Sequence, residues 1–411
     1  LETELSRVYG VTTVKQGALV RLVEYLVTRP NDELFESVFF LNYRVFTSSL
    51  KVFGMLRTLF HATAAQAGKL GLVLPQLQSR VLDLIGGWVS DFYYDDFVST
   101  PAMARALDQF VASEAPAAGL SEEASMLREL RDSLSYEQHA EFLWPEKMPD
   151  PVYPDLASGN QLSVYSCKDV EIARQLTVIE SGMFHAIRKP ELVDTPWMSE
   201  ETSLSARNVI ELISFFNRLY LWVTLEVIKP FTKAERARAY DKMVGIMGEL
   251  YKMRNYNATM AIVGALNSAP ILRLAHTRKL VSSKARKLLR KVEAAMSTER
   301  NYGKYRAVLN ATHQAVVPYL WLTLHDLVLA KDGNAQHLRG ASKSVLSMAR
   351  HLMTSKIIDD GVLRFQQYEF NYEPIPAIQA LFTTTKLLDE DAMYEVSLKR
   401  EPRGADAKDV P

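Results

Sequence analysis

The 411-residue chain holds one cysteine, Cys167. A lone cysteine excludes an internal disulfide framework and any metal site built on several thiolates, and it suits a reducing, cytoplasmic compartment. Net charge is equally scarce: Lys plus Arg and Asp plus Glu each total 48. No global field recruits a polyanion, so nucleic acid is not an expected partner. Long apolar runs are missing too. The longest are broken by His325-Asp326, or by Thr224 and Glu226, well short of the ~18 residues of a membrane span. No signal-like start precedes the two Asn-Ala-Thr sequons, at Asn257 and Asn310, which read as chance matches.

Nucleotide-binding motifs are also lacking. Neither Gly-x-x-x-x-Gly-Lys-Ser/Thr nor a strand followed by Gly-x-Gly-x-x-Gly occurs, so no backbone cradle for phosphates is encoded and no cofactor is expected. A Gly-x-Ser-x-Gly elbow is absent, and Cys167, in the context VYSCKD, has no signature linking it to a base. It reads as a buried or incidental thiol.

Hydrophobic residues make up 48% of the chain and charged residues 23%, the balance of a globular protein with a sizeable core. Apolar residues recur at three- and four-residue spacing, as in Leu19, Leu22, Val23 and Leu26, or Val209, Leu212, Ile213, Phe216, Leu219 and Tyr220. That period, with few alternating runs, predicts an all-α protein. Helical patterns cover 15–28, 32–47, 50–68 and 76–93. The organisation expected is a helical N-terminal module over 1–110, a connector over 111–160 interrupted by Pro145, Pro149, Pro151 and Pro154, a larger helical domain over 161–402, and a frayed polar tail over 403–411. No repeat of solenoid period is present.

Two stretches carry unusual chemistry. VVPYLWLTLHDLVLAKDGN, residues 316–334, reads as a helix apolar on nearly every side with a His-Asp pair in its middle. Such a pair is similar to the metal-binding dipeptide of all-α phosphohydrolases, and His276 and Asp359 would complete a set of ligands. Against that reading, the chain has only 8 histidines and no second one at helical spacing from His325. A helix-surface pair facing a partner, or a capped polar notch, is the stronger reading. The second stretch, RLAHTRKLVSSKARKLLRK at 273–291, has Lys or Arg at eight positions and no acid. It is either a solvated helix face or a contact for an anionic membrane surface, where each cation is worth ~1 kcal/mol.

Further blocks stand beside these. ARQLTVIE at 173–180, NYNATMAIVGALNSAPILRL at 255–274 and the apolar stretch, followed by FQQYEFNY at 365–372 and SLKREP at 397–402, resemble in order and spacing the exchange domain of Ras-family guanine nucleotide exchange factors. KQGALVRLVEYL at 15–26, FFLNYRVFTS at 39–48 and VLDLIGGWVSDFYYDDF at 81–97 resemble the helical N-terminal module that accompanies that domain. The resemblance covers nearly the whole chain.

The resemblance implies a fold and a mechanism. An N-terminal helical module packs on a larger exchange domain, from which two helices protrude as a hairpin. The hairpin wedges beside the nucleotide pocket of a Ras-like or Rap-like small GTPase and displaces one switch segment, while the core surface holds the other. No covalent step is involved. The apolar stretch is then the first arm, and 342–355 the second, where Leu346-Ser347-Met348 replaces the usual Ile-Asn-Phe. The resemblance assigns the nucleotide-releasing role to Tyr319, His325, Asp326, Val328 and Asp332. It assigns GTPase contact to Arg174, Thr177, Asn257, Met260, Arg273, Gly333 and Asn334. Pro318, Tyr319, Leu324, Asp326, Leu327, Gly333 and Asn334 keep the family pattern. Val328 falls where members carry Leu or Thr, Asp332 where they usually carry Glu, His325 where Thr is common, and Arg278 where a Trp is usual. A GTPase-binding scaffold that keeps the fold but lost exchange through Val328, Asp332 and the altered second arm is the alternative. With no localisation module in sight, the chain is expected to be part of a larger cytoplasmic protein recruited to a membrane.

Overall fold

Leu22, Val23, Leu26 and Val27 are buried along one side of the helix Leu19–Thr28, as the spacing predicts, and the same logic repeats through the protein. A computed structural model describes residues 2–5, 12–135, 148–154, 162–336, 345–408 and 410–411. The fold is all-α apart from one small sheet. The described residues form two compact units: one drawn from 1–140, 192–196 and 325–359, the other from 141–191, 197–324 and 360–411.

In the first unit, helices Leu19–Thr28, Glu33–Asn42, Ser49–Phe60, Ala64–Lys69, Leu74–Phe92, Pro101–Gln109 and Ser121–Ser135 follow one another. The last of these lies in the stretch expected to be connector. Local chemistry sets the breaks. Asp32 and Ser48 cap two helix starts, and Thr63 forms a capping box with Gln66 that divides the expected 50–68 helix in two. The core is aromatic. Phe39 and Phe40 meet edge-on at 5.6 Å, and Phe40 and Tyr43 both pack on Trp88. Asp96, itself buried, accepts hydrogen bonds from Tyr43 Oη and Trp88 Nε1, both at 2.6 Å, and pairs with the Arg44 guanidinium. Burial of the Tyr43 ring pushes its hydroxyl pKa up.

One expectation is corrected here. Residues 15–18 are not helical: β2 (Thr12–Ala18) lies between β1 (Glu2–Leu5) and β3 (Val345–Ser347), antiparallel to both, with Gln16 opposite Ser347 and Ala18 opposite Val345. The Thr-Thr-Val run favours extended backbone and Gly17 disfavours helix; of the two partner strands β1 is near in sequence, while β3 lies more than 300 residues away, beyond any local window.

The second unit is built on the helices Asp169–His185, Arg207–Ile228, Lys233–Lys252 and Tyr256–Leu266, whose buried faces include Leu176, Phe184, Trp222, Met243, Met247 and Ile262. The 403–411 tail is not frayed over its described residues. Val410 is buried, the carbonyl of Pro411 accepts from Lys233 N at 2.5 Å, and that of Val410 from Lys233 Nζ at 2.7 Å, which ties the tail to the start of Lys233–Lys252. Free N–H groups and a cation at that helix N-terminus supply partners for the tail's carbonyls. No helix among the described residues is long and apolar enough to cross a membrane.

Candidate functional site

The apolar stretch becomes helical only from Leu320, in the helix Leu320–Gly333. Before it, Val317 pairs in extended form with the turn preceding Tyr256–Leu266: Val317 N donates to Arg254 O at 3.2 Å, and its carbonyl accepts from Tyr256 N at 2.9 Å. Tyr319 is therefore outside the helix. Its N–H donates to Tyr305 Oη at 2.8 Å, and its ring joins those of Phe216, Tyr302 and Trp321, the last stacked at 5.9 Å. Burial in this cluster pushes the Tyr319 hydroxyl up to about 12.

A buried polar network fixes the helix start. Leu320 N donates to Asn257 Oδ1 at 3.4 Å, and Asn257 Nδ2 donates to Glu180 Oε1 at 2.9 Å. Beside them, Asn255 Nδ2 donates to Thr177 Oγ1 at 3.2 Å, while Asn255 Oδ1 caps Tyr256–Leu266 by accepting from Ala258 N at 2.9 Å. Thr177, Glu180, Asn255 and Asn257 are all buried. Desolvation pushes the Glu180 carboxyl up to about 7, against the opposing pull of hydrogen bonds from Asn257 and Asn255. Thr177 and Asn257, to which the resemblance assigns GTPase contact, thus both lie inside the second unit, where Asn257 holds the first turn of the apolar helix and Thr177 accepts from Asn255.

Farther along, Leu324, Leu327 and Ala330 are buried. At 3.6 residues per turn, Trp321, His325, Val328, Leu329 and Asp332 fall within an arc of about 100°. That arc is the open side: Trp321 is 49% exposed, Leu329 53%, Asp332 exposed, and His325 and Val328 half-buried. Asp326 is half-buried to one side of it, and Gly333 exposed at its end. The helix is apolar nearly all round because its outer face also carries apolar groups.

The helix end is tied down within the first unit. Lys331 Nζ donates to the Asp194 carbonyl at 2.8 Å and to Thr195 Oγ1 at 3.1 Å, and pairs with the Asp194 carboxylate at 3.1 Å. Arg350, near the start of the helix Ala349–Ile358, pairs with the same carboxylate. Asp194 and Thr195 hold φ of 62° and 57°, left-handed backbone that non-glycine residues adopt only when held. Asn334 Nδ2 donates to Ala330 O at 3.0 Å, closing the last turn.

The expected second arm is corrected in part. Residues 337–344 lie outside the described residues, Val345–Ser347 is the strand β3, and the helix begins at Ala349. Pairing with β2 competes successfully with helix formation there. His351 of that helix is buried against Phe46 at 5.3 Å and contacts Asn42 Oδ1 at 3.3 Å through Nδ1, while Asn42 Nδ2 donates to Ser355 Oγ at 3.0 Å. Burial and the Arg350 charge depress the His351 pKa to about 4.

The remaining assigned residues make other contacts. Arg174 donates to Asp150 O at 2.9 Å and pairs with Glu171 at 3.1 Å. Met260 is half-buried on Tyr256–Leu266. Arg273 donates to Ser397 O at 2.5 Å and Glu401 O at 2.7 Å, anchoring the C-terminal helix. Among the described residues no group of three or more His, Cys, Asp or Glu is placed to hold a metal ion, so a ligand set around His325-Asp326 is not found there. Sequence reasoning overlooked Trp321, Leu329, Lys331 and Asp194. The signal for the first two was present, since an apolar residue on every side of a helix leaves some at the surface; the clamp on Asp194 required the tertiary fold.

Comparisons with known proteins agree with this architecture. The RasGEF domain family matches residues 171–359, and the RasGEF N-terminal motif matches 13–110. Ras guanine nucleotide exchange factor A of Dictyostelium discoideum is 29% identical over 411 residues, covering 97% of this chain and 67% of its own length. Factor K of that organism is 31% identical over 256 residues, 61% of this chain and 16% of the relative, and factor I is 26% identical over 403 residues, 97% of this chain and 48% of the relative. This chain thus spans about half or less of two of these three relatives. With both family regions matched in order and relatives aligned along almost its whole length, the chain belongs to the Ras guanine nucleotide exchange factor family.

Proposed function

We propose that the chain is an exchange factor that binds a Ras-family small GTPase, Ras-like or Rap-like, and promotes GDP release and GTP loading. The observation that carries this reading is the outer side of the helix Leu320–Gly333, where apolar Trp321, Val328 and Leu329 share an arc with Asp332. Set beside a nucleotide pocket, the apolar groups displace water that would replace lost ligands of the phosphates and Mg²⁺. Asp332, at the negative end of the helix dipole, repels the phosphates. Lys331 is drawn aside to Asp194, so its charge does not cancel that of Asp332.

Within this proposal Asn257 acts through the helix start that it holds and Thr177 through Asn255, Tyr319 braces the base, His325 lies on the working side and Asp326 flanks it. Arg174, Met260, Arg273, Gly333 and Asn334 belong to the surface that grips the GTPase or shapes it. The helix Ala349–Ile358 is the second arm. The functional division is an N-terminal module over 1–110, a connector over 111–160, the exchange domain over 161–402 and a tail over 403–411. The cytoplasmic side, where Cys167 stays reduced, is the place of work, with recruitment to a membrane.

Picomolar nucleotide binding corresponds to roughly −16 kcal/mol, so unaided release is slow. An exchanger speeds it by binding the empty GTPase far better than the loaded one, and linkage obliges incoming GTP to expel the exchanger by the same factor. The test is release of labelled GDP from a panel of Ras-like and Rap-like GTPases with this protein added. Faster release from at least one supports exchange; binding to the empty GTPase with no change in release rate leaves a scaffold.

A further inference from the structure

The cations of the 273–291 stretch gather on one exposed surface of the second unit. The helices Ala275–Leu280 and Ser283–Ala295 present Arg278, Lys279, Lys284, Arg286, Lys287, Arg290 and Lys291, all exposed, while Thr277, Ala285, Leu289 and Val292 turn inward. The two helices are joined at this surface, because Arg286 Nη1 donates to Arg278 O at 3.5 Å. The guanidinium of Arg278 likewise meets only a backbone carbonyl, that of Leu272, at 3.1 Å.

These charges are not tied up in ion pairs. Among the described residues none of the seven cations forms an ion pair, and the two acids beside them take hydrogen bonds from uncharged donors instead. Asp241 accepts from Ser282 N at 3.1 Å, and Glu293 accepts from Asn267 Nδ2 at 2.8 Å. In a chain with equal numbers of acids and bases, seven unpaired cations on one corner form a strong local field. Two leucines are exposed among them, Leu280 by 52% and Leu272 by 40%.

We infer that this face is a docking surface for an anionic lipid bilayer; the inference gives the proposed membrane recruitment a location and does not depend on exchange. Cations alone suit any polyanion. Two exposed leucines among them favour a bilayer, since phosphates attract the Lys and Arg heads while an aliphatic side chain enters the headgroup boundary.

The test is co-sedimentation of the whole chain with vesicles of phosphatidylcholine alone, or of phosphatidylcholine with phosphatidylserine. Binding to the acidic vesicles is expected to exceed binding to neutral ones by at least ~10-fold, and to weaken as the Debye length falls from ~30 Å at 0.01 M salt to ~8 Å at 0.15 M. A Lys284→Glu/Lys287→Glu/Lys291→Glu variant should lose that preference with unchanged melting temperature, and Leu280→Ser should weaken binding at every salt concentration. Both variants should keep the parent's GDP-release rate on a soluble GTPase in solution, which separates failure of this inference from failure of the exchange proposal. Equal binding to the two vesicle types, or full binding by the triple variant, overturns the inference. So does insensitivity to Leu280→Ser combined with equal affinity for a soluble polyanion, which would mark a general acidic-partner surface.

Discussion

Asn257 stands between Glu180 and the first turn of the helix Leu320–Gly333, giving Nδ2–H to the carboxyl at 2.9 Å and taking the Leu320 N–H on Oδ1 at 3.4 Å. One buried amide therefore couples a core carboxyl to the entry angle of the helix on which the proposed exchange depends. Each removal leaves an unsatisfied buried group, which costs on the order of 1–3 kcal/mol. Asn257→Ala is expected to lower the melting temperature and slow GDP release together. A variant that folds as stably as the parent yet exchanges more slowly would instead mark direct contact with the GTPase.

The two buried titratable groups oppose each other in pH. Glu180, raised from 4.5 to about 7, is held protonated in the folded state, so the stability from its neutral form is complete below pH 4.5 and is lost as pH rises to about 7. His351, lowered from 6.5 to about 4, contributes stability that is complete above pH 6.5 and is lost as pH falls to about 4. Each effect corresponds to on the order of 3 kcal/mol. Glu180→Gln should therefore leave a protein whose melting temperature falls towards acid, and His351→Gln one whose melting temperature falls towards alkali. Parallel curves for parent and both variants across pH 4–8 would show that neither group titrates as its burial dictates.

On the outer side of the apolar helix, Val328→Asp places a charge that must be desolvated on docking and should slow GDP release by at least ~10-fold. Asp332→Ala should slow it by a smaller factor at unchanged melting temperature, since an exposed acid contributes little to stability. Tyr319→Ala empties part of the aromatic cluster and should cost on the order of 2 kcal/mol, with exchange reduced through the loosened helix base. If the first two variants release GDP at the parent rate, this helix is not the working element.

Asp194 draws Lys331 and Arg350 to one partly exposed carboxylate. Asp194→Ala should cost about 1 kcal/mol from the lost pairs and left-handed backbone. It should also slow GDP release, because Lys331 becomes free to offset Asp332. Asp194→Asn, which tolerates the backbone and keeps an acceptor, should fall between. A double variant, Asp194→Ala with Lys331→Ala, should recover release rate but not melting temperature; no recovery would leave the clamp purely structural.

Deleting residues 1–110 removes β2 from β3 and strips Phe46 and Asn42 from His351. Leu346, Met348 and Leu352, now buried, would lose their cover. The truncated protein should aggregate and exchange poorly; a monomeric, fully active truncation rejects the brace.

Helices such as Leu19–Thr28 and Leu74–Phe92 were legible in the sequence because each buries a stripe written at 3.6-residue spacing, and cap residues such as Asp32 and Thr63 mark helix starts locally. The family was legible because its blocks keep their order along the chain. The pairing of Thr12–Ala18 with Val345–Ser347 and the Asp194 clamp were not, since each joins residues that are remote in sequence. Asn257 and Glu180 illustrate the division. Their polar identity in an apolar segment was visible at once, but only the tertiary structure showed that they face each other in the core, because hydrogen-bond satisfaction of buried groups is settled by packing and not by spacing.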